Sequence, residues 1–356
     1  MPTPPTRANQ RRQPLIWANL IHLSYNMWGD RRPHDSYVKN MPTGEDCNYQ
    51  PYLRFDDALW EELVARMVDA GFTMVVLDLG DAVRYESHPE IAVEQAWSTA
   101  RLVAELDHLR DLGLEPIPKL NFSTSHDAWL GEYARCVSTP RYYQVCRDLI
   151  DEVSRLFDTP RFFHIGMDEE EVGQQRLSDF ICCRQYELWW HDLFFYLDAV
   201  AQAGSRPWMW SDYAWGKGQA PAPRRAARRN HAEYAYAREH AEIFFERMPK
   251  SVLQSNWYYE LDFTESRPEV RLFTALARHG YQQIPTGSNF ATSNNFEALV
   301  DYVETTCGPR GVLGYLQTPW YPTLPAFRTH HLEAIDSAGR AISKQATRRH
   351  AWTDFE

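Results

Sequence analysis

The sequence predicts an α/β protein folded as a single (β/α)8 TIM barrel, and three observations lead there. Eight short runs rich in β-branched and aromatic residues alternate with eight longer stretches of helical periodicity. Polar and aromatic residues gather just after the short runs, where a parallel barrel carries its functional face. A doubly wound open sheet would place a glycine-rich phosphate loop after its first strand, and Ser24-Tyr25-Asn26-Met27-Trp28-Gly29-Asp30 is no such loop.

The strands are expected at 15–23, 73–80, 115–122, 161–168, 206–212, 251–258, 281–287 and 311–317. Helices are expected between and after them, near 56–70, 92–112, 140–157, 178–203, 230–247, 267–279, 294–306 and 324–343. Leu59, Leu63 and Met67 supply the apolar stripe of the first helix. Thr139-Pro140 reads as an N-cap followed by proline at the first helical position, and Gly71 stands where a helix ends in a left-handed residue. Residues 1–13, rich in Pro and Arg, are expected to form a loose tail, leaving 14–356 as the catalytic barrel.

Composition narrows the partners. A formal charge of -11 opposes binding to nucleic acid or to an anionic membrane surface, both of which want a basic face. No run approaches the roughly 18 apolar residues of a membrane span, and Arg11-Arg12 is followed by no apolar export segment, so the expectation is a cytoplasmic protein. Six cysteines show no paired metal spacing, which fits reduced thiols. No cofactor and no metal are expected, and the oligomeric state is not legible. Aromatic residues make up 14% of the chain, with 13 Trp; planar rings of this kind suit the C–H faces of sugars.

The densest chemistry follows strand four. Period-two alternation turns Phe163, Ile165 and Met167 toward the helices, and His164, Gly166 and Asp168 toward the axis. Glu169 breaks that parity, so both carboxylates reach one site only if the strand turns into its loop there. An acidic run such as Asp168-Glu169-Glu170-Glu171 is ordinarily a solvated loop, but its place at the end of a barrel strand favours function.

Phe163-His164-Ile165-Gly166-Met167-Asp168-Glu169 resembles the strand-four signature His-x-Gly-Gly-Asp-Glu of family 20 glycoside hydrolases, the β-N-acetylhexosaminidases. The resemblance implies a carbohydrate substrate. It also implies Glu169 as general acid/base, with Asp168 orienting a 2-acetamido group that attacks the anomeric carbon. Chemistry agrees with that division: the leaving oxygen needs a proton donor, and developing positive charge needs an anion. Late-strand tryptophans that wall the sugar in this family correspond to Trp210, Trp257 and Trp320. His126 and Asp127, after strand three, correspond to a histidine that supports the acidic pair.

Further substrate-binding candidates are Asn26 after strand one, Asp78 on strand two, Asn121 after strand three and His164 on strand four. Asp212, Asn256, Tyr258 and Gln317 on strands five, six and eight complete the set. The chain departs from the family pattern at three places. Met167 stands for the second glycine, no arginine after strand one matches the family's sugar ligand, and Thr286-Gly287-Ser288-Asn289-Phe290 replaces the expected Tyr-x-Asp. Alternatives therefore stay open. Asp168 could serve as nucleophile or electrostatic partner toward a sugar without an acetamido group. An inverting enzyme would take its base from Asp78, Asp127 or Asp212. A metal-dependent barrel would draw on His22, Asp78, His126, His164 and Asp168, and a sugar-binding barrel would catalyse nothing.

Overall fold

The computed structural model describes residues 14–28, 49–175, 180–215, 240–290, 294–308 and 311–353. Eight parallel strands form the main sheet: β1 (Ile16–His22), β2 (Met74–Asp78), β3 (Glu115–Lys119), β4 (Phe162–His164), β5 (Arg206–Trp210), β6 (Leu253–Ser255), β7 (Thr286–Ser288) and β8 (Gly314–Thr318). Their order is β6-β5-β4-β3-β2-β1-β8-β7. Ile284 N–H donates to the Gln254 carbonyl at 2.8 Å and Thr286 N–H to that of Asn256 at 2.9 Å, which joins β7 to β6 and closes the barrel.

Eight helices alternate with these strands: α1 (Asp57–Ala70), α2 (Thr99–Asp111), α3 (Pro140–Leu156), α4 (Tyr186–Gln202), α5 (240–247), α6 (Pro268–Arg278), α7 (Phe296–Thr306) and α8 (Arg328–Thr353). The anticipated caps are present. Thr139 Oγ1 accepts from Tyr142 N–H, and Gly71 ends α1 at φ 84°. Three helices start later than their periodicity suggests, α8 because residues 325–327 first form a tighter 3-10 turn. Residues 97–98 pair with 83–84 in a small parallel ribbon ahead of α2, and Arg184 is engaged by a loop carboxylate ahead of α4. The expected tail 1–13, Arg31, Arg32, Cys47 and the arginines 224, 225, 228 and 229 lie outside the described residues.

Alternation sorts the strands as period two requires. Ala18, Leu20, Met74, Val76, Ile117, Phe162, Trp208 and Leu316 fill the interior, whereas Trp17, Val75, Phe163 and Tyr315 pack under the helices. Such an interior is a packed core and not a pore. Its upper layer turns polar: strand pairing sets His22 beside Asp78, Asp78 beside Lys119 and Lys119 beside His164. Lys119 Nζ donates to Asp78 Oδ2 at 2.5 Å, and His22 Nδ1 lies 3.2 Å from the same oxygen. Burial alone would raise the Asp78 carboxyl, but the Lys119 charge and the His22 contact reverse this and keep it anionic. Burial pushes both imidazoles, His22 and His164, toward the neutral form.

This layer yields a stability prediction. Lys119→Met strands the Asp78 carboxylate in the barrel and costs about 3–5 kcal/mol, because an unpaired buried charge is left. The double variant Lys119→Met/Asp78→Asn recovers most of that loss. Urea denaturation checks both; equal destabilisation in the single and double variants would contradict the pairing.

Candidate active site

After β4 the chain leaves the extended region. Gly166 and Met167 each take φ 71°, and Glu169 takes φ 52°. A left-handed non-glycine residue costs roughly 1–2 kcal/mol, so two of them in one turn need support from their surroundings. The neighbouring loops supply it. Ser123 Oγ donates to the Asp168 carbonyl, Ser125 Oγ donates to the Glu169 carbonyl at 2.6 Å, and Glu169 N–H donates to Asp212 Oδ2 at 2.8 Å. Gly166 is required by space as well as by φ, since a Cβ there would stand 1.9 Å from Asn121 Oδ1. Met167, in the place of a second glycine, keeps the same handedness and buries its side chain, where Arg184 Nη2 approaches its sulfur at 3.8 Å.

This turn aims both carboxylates at one imidazole. His126 Nε2 lies 3.4 Å from Asp168 Oδ2 and 3.6 Å from Glu169 Oε2. Asn121 Nδ2 donates to the other Asp168 oxygen at 2.8 Å. Burial opposes charge on His126, yet the two carboxylates outweigh it and raise the imidazole to about 9, so it is protonated at neutral pH. Burial alone would likewise raise Asp168, but the His126 cation, Lys119 and the Asn121 bond hold it well below the usual carboxylate range. The Glu169 side chain is 22% exposed against 10% for Asp168, so Glu169 is the member that solvent reaches more readily.

An aromatic surround completes the site. The Trp28 ring meets His126 edge-on at 5.9 Å, Trp210 packs 4.6 Å from His164, and Trp320 lies 5.7 Å from Trp210. Tyr259 lies where the charges of Asp168 and Glu169 act on its phenol; burial foremost, then those two anions, raise it above the ordinary tyrosine range. Its hydroxyl accepts from Trp320 Nε1 at 2.9 Å, and Trp257 stacks on its ring at 5.0 Å.

The remaining candidates separate by strand parity. Leu253, Ser255, Trp257 and Tyr259 follow the inward face of β6. Asn256 and Tyr258 therefore point outward. Asn256 is tied to Glu269 and Trp215, and Tyr258 packs on Phe263 with its hydroxyl on Asp262. Gln317 is paired in register with outward-facing Asn19 and is fully buried. These three expected ligands are thus corrected: the alternation carries them away from the pair, and Tyr259 takes the inward place expected of Tyr258.

Asp127 is buried among groups that include Arg184 and Glu170, and burial raises its carboxyl well above the normal range. Arg184 grips Glu170 with Nε and Nη2 at 2.8 and 2.7 Å and reaches Asp192 at 3.1 Å, so Glu170 is a buried anchor of the loop and not part of a solvated acidic run. Asp78 is committed to Lys119, and His164 accepts from Gly166 N–H through Nδ1 at 3.0 Å. Asn26 and Ser24 both donate to Asp81, at 2.8 and 2.5 Å, binding the β1 and β2 loops together. Sequence reasoning missed Ser123, Ser125, Trp28 and Tyr259; only the inward parity of Tyr259 was available as a signal.

No protein-family model matches this chain, and no curated protein sequence matches it. Solved structures do. The exo-β-N-acetylglucosaminidase of glycoside hydrolase family 20 from Vibrio harveyi superposes with a TM-score of 0.56 at 10% identity, over 92% of this chain and 54% of its own. The family 20 β-N-acetylhexosaminidase of Streptomyces coelicolor A3(2) gives 0.55 at 13%, over 90% and 64%. The β-N-acetylhexosaminidase of Bacteroides fragilis gives 0.53 at 11%, over 96% and 70%. At these identities the likeness is one of fold, and the chain spans a little over half to about two thirds of the length of the first two.

Two measurements probe the site itself. Gly166→Ala is expected to destabilise by about 3 kcal/mol and to break the Asn121–Asp168 bond, because neither φ nor space admits the methyl. The raised His126 contributes stability that is fully present below its unfolded value near 6.5 and is lost as pH rises through about 9. The stability gap between wild type and His126→Gln should accordingly shrink between those pH values. A gap that widens there would contradict the ion pair.

Proposed function

We propose that this barrel is an exo-acting glycoside hydrolase of the β-N-acetylhexosaminidase type. In this reading Glu169 is general acid/base and Asp168 orients and stabilises the substrate. The observation that carries it is the placement of two adjacent carboxylates on one imidazolium at the C-terminal face of the barrel. Glu169, the more exposed of the two carboxyls, is in this reading the group that gives and takes the proton.

The spacing argues for help from the substrate. The facing atoms of His126, Asp168 and Glu169 all lie within 4.8 Å of one another. An inverting pair needs roughly 6.5–9.5 Å to admit a water between its carboxyls. A retaining pair with a protein nucleophile works from opposite faces of the sugar, whereas Asp168 and Glu169 meet on one histidine. Both Asp168 oxygens are also engaged, by Asn121 and His126, which suits an anion that accepts a substrate N–H better than one that attacks carbon. A 2-acetamido oxygen attacking the anomeric carbon removes the need for a protein nucleophile, and Asp168 then holds its N–H as positive charge develops. The fold likeness to family 20 enzymes supports the same reading.

Trp28, Trp257 and Trp320 provide ring faces for the sugar, and Tyr259 offers a phenol near the carboxylates from β6, where the family pattern would place one after strand seven. Beneath the pair, Trp208, Trp210 and His164 close the barrel, so an entering ring meets a floor, as a terminal sugar would.

Chromogenic β-glycosides test this. Hydrolysis is expected for the 2-acetamido substrate and not for its 2-hydroxy counterpart. Glu169→Gln should lower kcat by about 10³-fold, within the range for loss of a general acid. Tyr259→Phe should cost about tenfold in kcat/KM, the equivalent of one hydrogen bond. Undiminished turnover in Glu169→Gln would remove the assigned acid, and hydrolysis confined to 2-hydroxy substrates would remove the acetamido reading.

A further inference from the structure

We propose that His126 Nε2, Asp168 Oδ2 and Glu169 Oε2 also form a binding site for a divalent cation of the zinc class, occupied in competition with substrate. The three donors converge from two loops, with all three atoms within 4.8 Å of one another. Nε2 stands 3.4 Å from one carboxylate oxygen and 3.6 Å from the other. An ion bound tetrahedrally at about 2.0–2.1 Å sets its donors roughly 3.4 Å apart. The two edges that meet at the histidine thus already have the length that a tetrahedral site requires. Among the described residues, this is the one group of three or more His, Cys, Asp and Glu side chains whose donor atoms converge so closely.

A second observation points the same way. His126 is 4% exposed, and neither ring nitrogen makes a hydrogen bond of good geometry. Its contacts with the carboxylates are longer than the 2.7–3.2 Å of an ordinary N–H···O bond. The buried imidazole thus faces both carboxylates at distances that suit ligation of a shared ion better than hydrogen bonding. Asn121 supports the site from behind by bonding the Asp168 oxygen that would not ligate, the kind of outer contact that fixes a metal-binding carboxylate. One nitrogen with two oxygens suits zinc or a similar transition ion, while calcium and magnesium take six or more oxygens or retain their waters.

The fourth corner falls on the more exposed, Glu169 side, where water completes the shell. On binding, the His126 Nε2 proton passes to solvent and Glu169 commits an oxygen to the ion. The metal-loaded chain then lacks both its acid and its anion. This inhibitory consequence rests on the glycosidase reading; the binding itself does not.

The test is calorimetric titration of zinc chloride into the chelator-stripped full chain, with cobalt(II) absorption as a spectroscopic reporter. One ion per chain is expected, with the intense visible bands of a four-coordinate cobalt site. His126→Gln and Glu169→Gln should each weaken binding by about 100-fold with circular dichroism unchanged. Cys182→Ser/Cys183→Ser, which removes the neighbouring thiols, should leave binding intact. Absence of saturable binding would overturn the proposal, as would binding that survives both site variants or vanishes with the cysteines. Zinc bound by a chain that hydrolyses no glycoside would support this site and defeat the glycosidase reading. In an active enzyme, zinc inhibition that substrate cannot relieve would contradict the shared site.

Discussion

The close approach of Gly166 to Asn121 governs the site. Only a residue without a side chain can pass there, and only a left-handed turn lets the chain bring two successive carboxylates toward one imidazole. In a regular strand, Asp168 and Glu169 would face opposite sides of the sheet. The turn removes that constraint. Serines 123 and 125 and the Asp212 carboxylate then satisfy its backbone groups, so three successive barrel strands contribute to one piece of irregular chain.

Charge is arranged in two tiers above that constraint. Lys119 and Asp78 neutralise each other within the barrel, with neutral imidazoles on either side. One level higher, His126 carries a proton against Asp168 and Glu169, of which Glu169 is the more exposed. A separate anchor, Arg184 with Glu170 and Asp192, secures the loop from the helical side. Each of these buried charges thus has a partner, as burial demands, and Glu169 is the more exposed of the adjacent carboxylates.

The barrel was legible in the sequence because its signals are local. Alternation, the Thr139-Pro140 cap and the stripe of Leu59, Leu63 and Met67 each need only a few neighbouring residues. The parity break at Glu169 was legible for the same reason. Contacts that join separate loops were not. Nothing in the sequence near Ser123 says that its hydroxyl will reach the Asp168 carbonyl, 45 positions away. Asn256, Tyr258 and Gln317 show the opposite error: being polar at a strand end suggested the site, but a one-residue change of parity sends a side chain to the other face. Trp28 follows β1 without a periodic signal, and its place beside His126 emerges only when the loops assemble.

In the proposed glycosidase reading, adjacent carboxylates on one histidine leave the attack on the anomeric carbon to the substrate. Aryl glycosides whose 2-acetamido methyl carries none, one, two or three fluorines test it directly, since each fluorine withdraws electron density from the attacking carbonyl oxygen. A kcat/KM that falls steeply along this series is the predicted result. A flat series from an active enzyme would place the nucleophile on the protein or on water, and would contradict the account.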